Sequence, residues 1–128
     1  MTPDPKAAAC PPPEVAYANA PRITREMSWV AGAAADREFG VPMGREFWLR
    51  KAALLDRIAL DHVEKHAPEV AAATVETAEE AAGGLADFDH THYTTRGPIK
   101  PLLNPSGRSY RPYVRQEYLA WLTAHTDS

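Results

Sequence analysis

The stretch from Met43 to Ala67, MGREFWLRKAALLDRIALDHVEKHA, constrains this chain most. It is the longest run with helical periodicity and marked ends. At about 100° per residue, Phe47, Leu54 and Ile58 fall on one line. Trp48, Ala52, Leu55, Ala59 and Val63 lie beside that line, and Leu49, Ala53 and Leu60 widen the arc. Glu46, Arg50, Arg57, Asp61 and Glu64 share the remaining sector. An apolar arc so wide needs cover on more than one side, so the helix belongs inside a bundle or at a dimer interface. Gly40 and Pro42 separate it from what precedes, and Pro68 closes it or opens the next element. Its length would be roughly 36 Å, enough to span a small domain.

The other segments read as cover for this helix. Residues 1–20 hold Pro3, Pro5, Pro11, Pro12 and Pro13 among alanines, which predicts a disordered Pro/Ala-rich tail. Residues 21–128 then form a single helical domain. Pro21 can start a first helix, in which Ile23, Met27, Val30 and Ala34 recur at helical spacing. Pro68 to Ala82 is alanine-rich with a thin apolar face of Val70, Val75 and Ala78, and Gly83 and Gly84 should end it. Leu85 to Phe88 reads as a short turn, and residues 89–109 as a long loop, a length often tied to function. A last helix from Pro112 to about His125 has Val114, Tyr118, Trp121 and Leu122 on its core face. The expectation is an all-α, compact bundle of four to five helices around a long central helix. The width of the central apolar arc suggests a homodimer.

Composition excludes several classes. The net charge is −3, and the basic residues form no helical recognition face or aromatic ladder, so nucleic acid is not expected. No apolar run approaches the roughly 18 residues of a membrane span. A basic region followed by an apolar one is missing at the N-terminus, which makes the cytoplasm the expected location. The single cysteine, Cys10, leaves no internal disulfide and no cysteine zinc site.

The candidate chemistry lies in the second half. Residues 67–89 carry six acids and no Lys or Arg, whereas 90–116 carry Arg96, Lys100, Arg108, Arg111 and Arg115 and no acid. Such a switch is either a basic loop awaiting an anionic ligand or two segments that neutralise each other. His62 and His66 are four apart on the central helix, and His90 and His92 alternate like strand neighbours. His62–His66 reads HVEKH rather than HExxH, and both residues complement the carbonyl end of a helix dipole. No metal is therefore assigned. His90, His92, Tyr93 and Arg96 make the best acid–base candidates, because histidine and tyrosine relay protons and arginine holds a carboxylate or enolate oxygen. Trp29, Glu46, Trp48, Lys100 and Arg108 are candidate lining for a substrate pocket. For the tryptophans, core packing competes with a peptide groove or a dimer interface. No cofactor motif is present.

The segment Gly44 to Leu60, GREFWLRKAALLDRIAL, resembles segments of short helical actinobacterial proteins. Among proteins of that kind are the small helical proteins that close the lysinoalanine bridge of cinnamycin- and duramycin-type lanthipeptides. The likeness lies in size, helical build and lack of a cofactor motif, covers about the middle half of the chain, and carries no site residues across. It implies a cofactor-free, peptide-binding tailoring protein of bacterial natural-product biosynthesis, joining a lysine amine to dehydroalanine. The alternative is a non-enzymatic helical protein-interaction or regulatory protein. The partner is thus a peptide substrate or another protein.

Overall fold

An antiparallel helical hairpin founds the structure, a computed structural model that describes residues 10–37, 40–101 and 109–126. Among the described residues five α-helices follow in order: α1 Pro13–Ala16, α2 Ile23–Ala35, α3 Arg45–Lys65, α4 Pro68–His92 and α5 Arg111–Thr126. The all-α class holds, with no strand among the described residues. The predicted central helix is α3. It ends where His66 turns extended, and Pro68 at the first turn of α4 tolerates its missing N–H, so His66 and Ala67 alone make the hairpin turn.

Small side chains let the two arms lie close. Ala52, Ala53, Ala59, Ala71, Ala78, Ala82 and Ala86 are all buried. At the open end of the hairpin the core thickens: Leu49 and Leu85 meet Tyr113, Val114 and Tyr118 of α5. α2 packs on α3, and α1 packs on α5. Within one chain α2, α4 and α5 pack on α3 and its Leu49, Ala52, Ala53, Leu54 and Ala59 are buried, while Val63 stays 57% exposed.

Two expectations change. The helix after Pro68 does not stop at Gly83–Gly84 but runs 25 residues to His92, absorbing the predicted turn at 85–88 and the start of the predicted loop. Each interior glycine costs about 1 kcal/mol relative to alanine. Burial of Leu85, Ala86 and Asp89 beyond the glycines offsets that cost. Gly84 also faces the ring of Trp48, where a Cβ would sit 3.5 Å from Cζ3, so the glycine admits the indole closely. The second change concerns the Pro-rich tail. Residues 1–9 lie outside the described residues, but the following stretch is docked: Ala16 is fully buried and the Tyr17 hydroxyl donates to Asp56 Oδ2 at 2.5 Å.

That contact belongs to a set of buried carboxylates. Asp56 has no exposure, yet it sits on the Ala52–Ala53–Ala59 face of α3. Besides Tyr17, it accepts from Arg111 Nε at 2.5 Å and from Arg115 Nε and Nη2 at 2.8 and 3.0 Å. Four donors meet the four acceptor positions of one carboxylate. Burial and the negative Asp56 beside it hold the Tyr17 phenol far above its ordinary value, so it stays a donor. Glu26 on α2, also buried, takes a two-pronged grip from Arg50, whose guanidinium lies over the Trp29 ring at 3.6 Å.

Removing one side of such a buried set strands the other. Asp56→Ala, which leaves Arg111 and Arg115 without their shared acceptor, should lower stability by about 3–5 kcal/mol in urea unfolding. A loss below about 1 kcal/mol would mean that these arginines are already solvated.

Candidate functional site

The site is built from the C-terminal end of α4 and the segment 94–101 that leaves it. Two arrangements fix this geometry. The first is the end of α4 itself. Tyr93 caps it in the left-handed conformation, φ 55° and ψ 45°, and its N–H donates to the Asp89 carbonyl. Glycine or asparagine usually fills this position, since a side chain there costs about 1–2 kcal/mol. Tyr93 recovers nothing by burial, because it is 92% exposed. An aromatic ring held out in solvent on a strained cap is an unusual expense for structure alone.

The second arrangement pins the segment 94–101 to α5. Arg45, at the first turn of α3, bridges Asp89 on α4 and Glu117 on α5, both fully buried. Its Nε and Nη2 reach Asp89 at 2.8 and 2.9 Å, and Nη2 reaches Glu117 Oε1 at 2.8 Å. Asp89 also accepts from Tyr113 at 2.6 Å and from the Thr94 hydroxyl at 2.7 Å. With the Tyr113 proton so committed, the Thr95 hydroxyl, 2.7 Å away, is the donor to the Tyr113 oxygen. Glu117 accepts from the backbone N–H groups of Arg96 and Gly97 at 2.6 and 2.8 Å, and from Gln116 Nε2 at 2.8 Å. Gln116 in turn holds both backbone groups of Ile99, at 2.8 and 3.2 Å. Gly97 is required here, because a Cβ would overlap the immobilised Gln116 side chain.

Each of these carboxylates receives four hydrogen bonds, so neither has a lone pair left for a substrate. For Asp89, burial raises the pKa, but the bonds from Arg45, Tyr113 and Thr94 outweigh it and leave the net value below normal. The Tyr113 phenol is pushed far up by burial and by Asp89, and stays protonated. The cluster is scaffolding.

On the outer side of that scaffold lie two hollows, of about 210 and 430 Å³, that share His90 and Pro101. Gly83, Ala86, Asp87 and Tyr110 complete the first; Asp89, Tyr93, Thr95, Gly97 and Lys100 complete the second. His90 therefore stands mid-groove, with Asp87 towards one end and Lys100 towards the other. Asp87, His90 and Lys100 are exposed, and none of them forms an ion pair among the described residues.

The sequence-predicted residues distribute unevenly. His90, Tyr93 and Lys100 come together. His92 does not join them. Because α4 stays helical to its end, His90 and His92 are about 200° apart instead of alternating as in a strand. The His92 ring stacks on Phe88 and its Nδ1 donates to the Phe88 carbonyl at 2.8 Å. Arg96 is exposed on the pinned segment but does not line the hollows. Trp29 is stacked on Arg50, and Glu46 bonds Arg50 at 3.1 Å, away from the groove. Trp48 lies against Gly84 and lines a separate hollow with Ala34, Arg37, Met43 and Phe47. Arg108 lies outside the described residues.

The charge switch resolves into two parts. Arg111 and Arg115 neutralise Asp56, and Arg111 approaches Glu79 at 3.9 Å, whereas Arg96 and Lys100 stay unpaired among the described residues. His62 and His66 sit at the closed end of the hairpin, about 33 Å along α4 from His90. Among the described residues, no group of three or more His, Cys, Asp or Glu side chains is placed to hold a metal ion. No helix there is long and apolar enough to cross a membrane.

Sequence reasoning missed Arg45, Thr95, Gln116 and Glu117. One signal was legible: Glu117 interrupts the stripe of Tyr113, Val114, Tyr118 and Trp121, and an acid on an apolar face demands a partner. Comparisons with protein-family models, curated proteins and solved structures give no match.

If Tyr93 is kept for display, a glycine there should fold better. Tyr93→Gly is expected to gain about 0.5–1 kcal/mol in urea unfolding, the relieved strain less the backbone entropy that glycine loses. A destabilised variant would show that the ring supports the fold.

Proposed function

We propose that this chain is a small peptide-binding protein of bacterial natural-product (lanthipeptide) biosynthesis, and that its groove holds a short segment for a cofactor-free ring closure. The observation that carries the reading is the central His90 near the end of α4, open to solvent between Asp87 and Lys100 and beside a wall pinned by Gln116 and Glu117. A solvent-open imidazole can take and return a proton, and a pinned wall can hold a flexible peptide in one geometry.

The reaction implied by the resemblance of Gly44 to Leu60 suits such a site. The neutral lysine Nζ adds to the β-carbon of dehydroalanine, and a C–N bond forms. The alkene electron pair moves towards the carbonyl oxygen as an enolate. The nitrogen then gives up one proton and the α-carbon gains one, so nothing leaves and the peptide mass is unchanged. His90 is suited to carry that proton. The Lys100 ammonium and the Tyr93 hydroxyl are the groups available to hold the enolate oxygen.

A non-enzymatic reading keeps the groove and drops the chemistry. It is favoured by the saturation of Asp89 and Glu117, which leaves neither of these two buried carboxylates free to act as a base.

Native mass spectrometry with a dehydrated lanthipeptide precursor separates these readings. Enzymatic action predicts a bound peptide, then loss of its free lysine amine at constant mass, with His90→Ala binding the peptide but slowing closure at least about 10²-fold. Binding without closure leaves the interaction protein. No binding at all overturns the peptide reading.

A further inference from the structure

We propose that the groove selects a bipolar peptide segment, with a cationic side chain seated at Asp87 and an anionic one at Lys100. This rests on the peptide-binding reading and names its substrate class. The argument starts from which charges the fold has already used. Arg45, Arg50, Arg111 and Arg115 are committed to the buried acids Asp89, Glu117, Glu26 and Asp56. Those four acids are closed to any ligand for the same reason. Among the described residues that line the two hollows, the ionisable side chains not already committed to a buried partner include Asp87 in the first and Lys100 in the second, with His90 between them.

The placement of the two charges is rigid for different reasons. Asp87 belongs to α4, one turn before His90, and its neighbours Ala86 and Asp89 are buried. Lys100 follows Ile99, whose backbone is held on both sides by Gln116. Neither has an interior partner left: for Lys100, each interior acid already has four donors or a two-pronged arginine, and for Asp87, the four interior arginines are already paired with those acids. The two signs therefore meet a ligand from the two ends of one cleft.

Size narrows the occupant. The larger hollow, of about 430 Å³, lies in the range of sites for drug-sized ligands, roughly 300–1,000 Å³, and the adjoining one of about 210 Å³ falls below it. That is room for a few residues in extended form and too little for a folded partner. Tyr93, Pro101 and Tyr110 supply apolar surface for the segment between the two charges.

Fluorescence anisotropy with four labelled hexapeptides at low salt tests this. One carries lysine near one end and glutamate near the other; the others replace the lysine, the glutamate or both by glutamine. The bipolar peptide should bind tightest, losing about three- to fivefold for each charge removed, the scale of an exposed ion pair. Lys100→Glu should invert the preference for the glutamate, so that its glutamine version binds better. Asp87→Lys should do the same for the lysine. Glu64→Lys, at the closed end of the hairpin, should change neither. Equal binding of all four peptides, or a preference indifferent to Lys100→Glu and Asp87→Lys, overturns the bipolar selection and leaves the peptide groove standing. Failure of all four to bind, with circular dichroism showing a folded protein, removes the groove reading as well.

Discussion

One guanidinium ties together the three helices that make the site. Arg45 lies at the first turn of α3, Asp89 in the last turn of α4 and Glu117 mid-way along α5. No apolar contact could fix that junction so narrowly, because packing tolerates small shifts whereas a two-pronged arginine–carboxylate bond does not. Two buried carboxylates on one cation would leave a negative excess. The fold offsets it with neutral donors: two hydroxyls at Asp89, and two backbone amides and one side-chain amide at Glu117. The amides are the consequential part, because they make the segment after α4 a fixed wall.

The same device recurs at Asp56, where Tyr17, Arg111 and Arg115 fasten the stretch before α2 and the start of α5 to the middle of α3. The Ala-rich hairpin explains why ionic joints are needed. Alanine faces bring α3 and α4 close but bury little area per residue, so apolar burial there specifies alignment weakly. Buried polar joints then choose one arrangement among many similar ones. Replacing such joints by apolar residues often raises stability, so in this protein their value lies in defining position.

Much of the fold was legible because periodicity and prolines are strong signals. The 3.6-residue spacing of Leu49, Ala52, Ala53 and Ala59 and the break at Pro68 located α3 to within two residues at each end. The extension of α4 was not legible. Gly83 and Gly84 penalise a helix locally, and only the burial of Leu85, Ala86 and Asp89 against other elements overrides them. That single misreading propagated to the site: with a loop from 89 onward, His90 and His92 share a neighbourhood, and with a helix they oppose each other. The pairing of Asp89 and Glu117 through Arg45 spans 72 positions at its widest, a separation that no local pattern encodes. Tyr93 and Lys100 were singled out from the sequence by residue chemistry, an acid–base side chain and a basic loop, and the structure places both beside the second hollow.

Amide hydrogen exchange at Arg96 and Gly97 tests most directly whether Glu117 makes the wall. Both amides lie outside any helix, so only the Glu117 carboxylate protects them. The account predicts slow exchange, comparable with the core amides of α5, and fast exchange at both positions in Glu117→Gln. Fast exchange in the unaltered protein would contradict it, because a wall that opens freely cannot hold His90, Tyr93 and Lys100 around one ligand.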